Sequence, residues 1–166
     1  MATALFITRD DLVRNTFLSG NVDTDKFIQF IKIAQEVHIQ QYLGTKLFDK
    51  ISADIIAGTL SGTYQTLVNE YVQPMLIHYA MTEYLPFSAF TASNGGLFKK
   101  TSENGETATR DDISFLIEKE RNLAEYYTRR FIDFMAFNQS SYPEYTSNTN
   151  DDIHPLKDSV FQGWVL

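Results

Sequence analysis

Cysteine is missing altogether from the 166 residues. That excludes disulfide staples, thiolate nucleophiles and sulfur-based zinc sites, and it fits a reducing compartment. Long apolar runs are missing too: no stretch approaches the ~20 apolar residues that span a bilayer. The opening seven residues carry no basic region ahead of an apolar one, so nothing reads as a secretory signal. Basic runs stop at the pairs Lys99-Lys100 and Arg129-Arg130, in a chain of formal net charge −7. A free-standing nucleic-acid binder carries a basic face, and none is written here. The expectation is a soluble protein, cytosolic where it is made, with no membrane partner.

Catalytic signatures are equally scarce. There is no Gly-x-Ser-x-Gly elbow, no phosphate-binding Walker loop and no dinucleotide glycine fingerprint; Ser93-Asn94-Gly95-Gly96 has neither the spacing nor the flanking strand. Glu-x-x-His, the mark of di-iron bundles, does not occur, and Glu36-Val37-His38 is spaced wrongly to put both groups on one helix face. The reading is of a non-enzymatic protein without a cofactor.

What the chain has is apolar bulk: 43% hydrophobic residues, with 13 Phe, 9 Tyr and 1 Trp. Such a composition folds, and the length suits one domain with an ordered arm. Thr8 caps a short first helix with Asp10 and Asp11 at its positive end. A second helix runs from Asp23 or Thr24 to about Leu43, with Phe27, Ile31, Ala34, His38 and Gln41 on one line. Gly44 ends it through a positive φ. A third helix spans about 45–57 on Leu47, Ile51 and Ile55. A fourth covers about 64–84, its stripe Tyr64, Val68, Tyr71, Met75, His78 and Thr82, with a kink expected near Glu70 to Pro74.

Residues 93–109 are the least helical. Leu97 to Thr101 read as extended and Asn104-Gly105 as a type I′ turn, giving a small β-hairpin or a polar loop. Thr109 or Asp111 caps the longest helix, about 110–137, striped by Ile113, Ile117, Glu120, Ala124, Tyr127, Phe131 and Met135. A polar, turn-rich stretch over 138–150 precedes a last apolar patch, Val160 to Leu166. The fold class is all-α: a bundle of about four main helices with a β-hairpin or loop insertion and an extended C-terminal arm. The domain is expected over 1–145, with linker and arm over 146–166.

His38, His78 and Glu120 sit near the centres of stripes on different helices. They read as a metal or proton-relay site, as a buried network or subunit interface, or as residues that never meet; satisfied core histidines are the commoner case. Arg129-Arg130 complements a helix dipole, and Lys99-Lys100 is either a solvated tip or a contact to an acidic partner or nucleic acid.

A set of short motifs adds to this. Ile7-Thr8-x-x-Asp11-Leu12 precedes a helix with Ile28, Ile31, Ala34 and Gln35, then Tyr42-Leu43-Gly44-x-x-Leu47-Phe48-x-x-Ile51. Tyr71-Val72-x-Pro74 and Tyr84-Leu85-Pro86 come next, then Ala124-x-x-Tyr127, Phe131-Ile132-x-Phe134 and Asn138-x-x-x-Tyr142-Pro143-x-Tyr145. Over about residues 5–145 this resembles the head-to-tail connector (adaptor or ring) proteins of tailed bacteriophages, most closely those of crAss-like phages. The resemblance implies a virion structural protein, present in host cytoplasm during assembly. It implies a ring, commonly of twelve copies, beneath the portal protein, extending the DNA channel and docking the next tail or ring protein. It carries no catalytic residues. An acidic subunit suits a conduit, since a basic lumen would hold DNA through counterion release.

The expected partner-binding residues are Leu97, Phe98, Lys99 and Lys100 in the loop, and Phe161, Trp164, Val165 and Leu166 in the arm. Those apolar side chains, left alone, would face water. The alternative from another class is a small helical partner-binding or regulatory protein acting as a monomer or dimer.

Overall fold

The computed structural model describes residues 4–18, 24–101, 105–147 and 152–158. The fold is all-α with one small antiparallel hairpin. Helix α1 is Arg9–Asn15; α2, Thr24–Ala34, continues through a π-helical turn, Gln35–Ile39, into α3, Gln40–Leu43; α4 is Thr45–Ala57. Helix α5, Gly62–Leu67, passes through a second π-helical turn, Val68–Val72, into α6, Gln73–Tyr84. A 3-10 turn, Leu85–Phe87, leads to β1, Phe90–Ser93, and β2, Gly96–Lys99; then come α7, Arg110–Asn138, a 3-10 turn, Gln139–Ser141, and α8, Pro143–Thr146.

Local chemistry sets the ends. Thr8 and Thr109 each accept from the amide three residues on, while Asp11 and Asp112 reach back to the capping residue's own amide, so the otherwise orphaned donors are satisfied reciprocally. The Thr109 bonds hold the Asp112 carboxyl below its ordinary range. Gly44 has φ 76 and ψ 153. It closes α3 by donating its N–H to the Gln40 carbonyl at 2.8 Å, and its own carbonyl accepts from Phe48 at 3.0 Å. The positive φ expected from sequence is present; the ψ lies outside the left-handed helical well.

Helix α6 lies between α2 and α7 and is their common neighbour. Met75, Leu76, Ile77, Tyr79, Ala80 and Met81 are all buried, so the helix has no open face, as befits one enclosed on all sides. The stripe read from sequence is therefore too narrow. The π-helical turn just before Pro74 also rotates the rest of the helix, because one extra residue per turn breaks the 100° progression. The π turn stands just before Pro74, in the stretch where the sequence places the kink. The turn over Gln35–Ile39 acts likewise on the second helix: Ile39 takes the core position, and His38 is left at the half-buried edge.

Both π turns serve a further purpose. Gln35, buried at the first, donates to the Ala4 carbonyl at 3.0 Å and accepts the Phe6 amide at 2.8 Å. Gln73, directly after the second, donates to the Phe6 carbonyl at 2.8 Å. The N-terminal segment is thereby clamped across two helices, with Phe6 against Phe48 at 5.0 Å. Among the described residues, no buried side-chain polar atom lacks a partner.

Three differences from the sequence reading stand out. The hairpin turns at Asn94 and Gly95, one turn signal earlier than Asn104-Gly105; Asn104 lies outside the described residues. The 138–150 stretch, read as polar and turn-rich, also carries core residues: Tyr142 and Tyr145 are buried and the Tyr142 hydroxyl donates to the Thr63 carbonyl at 3.1 Å. Residues 152–158, assigned to the arm, pack on the domain. Thr45 N–H donates to the Ile153 carbonyl at 3.0 Å, Leu156 N–H to the Gln41 carbonyl at 2.8 Å, and Ile153 N–H to Thr45 Oγ1 at 2.9 Å.

Candidate functional site

The most open apolar chemistry gathers at the hairpin end. The register pairs Phe90 with Lys99, Thr91 with Phe98, Ala92 with Leu97 and Ser93 with Gly96. Strand alternation puts Phe90, Ala92, Leu97 and Lys99 on one face and Phe98 on the other. Leu97, Phe98, Lys99 and Lys100 are all exposed, Leu97 at 69%. A two-stranded ribbon is marginal alone and has nothing with which to cover both faces. Among the described residues no third strand joins the sheet, and open sheet edges accept further strands. Phe161, Trp164, Val165 and Leu166 lie outside the described residues.

Beneath the hairpin runs a groove of about 580 Å³, walled by Phe30, Tyr84, Phe87, Phe90 and Leu97 with Lys26 and Lys100 among its lining residues. A second, of about 400 Å³, lies between the hairpin base and the start of α7 at Pro86, Ala89, Phe90, Ile113 and Ile117. Phe30 and Phe87 pack at 5.6 Å and Phe30 and Tyr84 at 5.5 Å, so the wall is a built aromatic cluster. Burial of Tyr84 pushes its hydroxyl above the ordinary tyrosine range.

Sequence reasoning missed Phe87 and Phe90, which extend the patch. It also missed Phe115, Tyr126 and Phe137, all exposed on α7. Their eleven-residue spacing, about three helical turns, aligns them on the side away from Ala124 and Phe131, and it was visible in the sequence.

His38, His78 and Glu120 do not form one cluster. His78 Nδ1 lies 2.6 Å from Glu120 Oε2, while His38 Nε2 lies 2.8 Å from Glu83 Oε1. The metal and relay reading of the three together is thereby corrected. Each imidazole stacks on a tyrosine, His38 on Tyr79 at 4.2 Å and His78 on Tyr127 at 5.4 Å. The pairs tie α6 to α7 and the first π turn to α6. Among the described residues no group of three His, Asp or Glu could hold a metal ion, and no helix is long and apolar enough to cross a membrane. Arg130 lies over Tyr71 and donates to the Glu70 carbonyl at 3.1 Å, so its work is to join α7 to the second π turn.

Residues 39–154 match DUF6712, a family of unknown function, and the chain belongs to that family. The match begins in the first π turn and ends in the docked segment, so it takes in the hairpin and the whole of α7. No curated protein and no solved structure matches the chain.

Proposed function

We propose that this protein is a structural subunit of a phage head-to-tail connector. In this reading its copies form a ring beneath the portal protein, extend the DNA channel and present a docking surface for the next tail component. One observation carries the reading: a domain with a satisfied core keeps Phe87, Phe90, Leu97 and Phe98 exposed on one hairpin end. Exposed apolar groups gathered in this way mark interaction surfaces. The net charge of −7 supports a subunit past which DNA slides without being gripped. The motifs around Tyr42-Leu43-Gly44 and Tyr142-Pro143 support the connector assignment in particular.

The test is localisation in particles. Mass spectrometry of gradient-purified virions of the encoding phage should find the chain at a stoichiometry comparable to the portal protein. Electron microscopy should place it between portal and tail. Intact, infectious particles lacking the chain would refute the reading.

A further inference from the structure

We propose that the groove under the hairpin is the receptor for residues 159–166 of a second copy of this chain, so that subunits join head to tail. The proposal rests on the connector reading for its biological setting and on geometry for its content. The described residues end at Asp158, just after Leu156 is tied to the Gln41 carbonyl and Lys157 is set over the Tyr145 ring at 5.7 Å. The next eight residues carry Phe161, Trp164, Val165 and Leu166. The groove lies at the other end of the helix pair α2–α3, beside Phe30. From Phe30 to Gln41 is eleven residues, about 16 Å along a helix axis.

An extended chain covers at most ~3.6 Å per residue. Phe161, three residues past Asp158, therefore reaches about 11 Å, short of its own groove. Trp164, six residues past Asp158, reaches at most about 22 Å, beyond that span. On that span Phe161 cannot join Trp164 in the groove of its own domain, while a neighbour placed end to end brings that groove within reach of both. A cavity on the same chain that Lys157 itself lines, with Ile132, Met135, Ala136 and Tyr145, measures about 180 Å³, against about 580 Å³ for the groove. Four apolar side chains need the larger one. A donor at one end and an acceptor at the other make a heterologous joint, which closes into a ring when the rotation per subunit allows.

The full-length protein tests this directly, because Trp164 is its sole tryptophan. Trp164 emission should shift to the blue as concentration rises, in step with association seen by sedimentation. Leu97→Asp, at an exposed position, and Trp164→Ala should each weaken association at least tenfold. Mixing the two variants should restore a one-to-one pair that grows no further, since one supplies the arm and the other the groove. Association that survives both substitutions overturns the joint while leaving a ring in place. Trp164 that stays buried in a monomer at every dilution overturns it in favour of the arm folding on its own domain. So does a chain that stays monomeric, with Trp164 in water, to millimolar concentration. A joint that behaves as described, in a protein missing from purified particles, refutes the connector reading and keeps the joint.

Discussion

Gly44→Ala should be among the most damaging single-methyl additions in the molecule, and the backbone says why. Gly44 is at once the end of α3 and the residue before α4, with φ 76 and ψ 153. A left-handed helical residue would have ψ near 50°; this one lies close to the region that only glycine occupies, where strain costs about 1–3 kcal/mol. Alanine also narrows the unfolded ensemble, which returns about 0.4–1 kcal/mol. The net loss should be about 1–2 kcal/mol, a fall in Tm of about 2–8 °C for a chain of this size. Gly58 supplies the control. It caps α4 at φ 68 and ψ 25, in the left-handed well, with open space where a Cβ would go. Asparagine tolerates that well and not the Gly44 conformation. In urea unfolding followed by circular dichroism, Gly58→Asn should be near neutral and Gly44→Asn as costly as Gly44→Ala. Equal effects of asparagine at the two sites would refute the reasoning.

Gln35→Leu should cost about 1–3 kcal/mol, because it strands the Ala4 carbonyl and the Phe6 amide in the core; hydrogen exchange should show Phe6 losing protection well before α6 does. Burial raises the hydroxyls of Tyr79, Tyr84, Tyr142 and Tyr145 above the ordinary value of 10.0. The folded state then holds protons that the unfolded state releases, so stability is level below about pH 10 and falls as pH climbs through the folded values. Urea midpoints and tyrosinate absorbance measured across that range should move together. Truncation after Asn150 removes the buried Pro155 and four hydrogen bonds made to Thr45 and Gln41, and should cost about 1–3 kcal/mol after the entropy regained. Truncation after Asp158 should leave the monomer's Tm unchanged.

Much of the fold was legible because its boundaries are set by local chemistry. Thr8, Gly44 and Thr109 act through their own side chain or its lack, so the sequence shows them directly. The interior was less legible. A stripe drawn at 100° per residue presumes an unbroken α-helix, and the two π turns break that presumption at Gln35–Ile39 and Val68–Val72. His38 consequently yields its core place to Ile39 and finds Glu83, which no stripe pairs with it. The turn and β2 lay within the segment marked as non-helical while β1 begins before it, and two Asn-Gly pairs competed for the turn. Asn94-Gly95 prevailed because Phe90 and Ala92 lie before it, at alternating positions that match Leu97 and Lys99. Leu97 and Phe98 were legible as apolar residues without a local reason to be there. Phe87 and Phe90 were not, because they sit just past a helix end, on no helical stripe and before the segment marked as non-helical.

The two ends of the domain differ in a way that bears on how copies can meet. At the Gly44 corner the chain folds back on itself: residues 152–158 bond to Thr45 and Gln41, and buried Tyr142 and Tyr145 close the gap between α4 and α7. At the hairpin end nothing among the described residues returns to cover Phe87, Phe90 and Leu97. A two-fold dimer through the hairpin would set one concave groove against another and leave both unfilled, whereas isologous contacts need a self-complementary patch. A groove is filled by something convex and apolar, and the stretch from Phe161 to Leu166 carries that chemistry. The asymmetry therefore favours repeated head-to-tail contact over pairing. Burying Phe161 and Trp164 is worth about 2–3 kcal/mol each at full coverage, and much of that is spent on association and on ordering the arm. A single joint should accordingly be weak. A closed ring, or a ring held on a portal template, would gain its stability from many such joints acting at once.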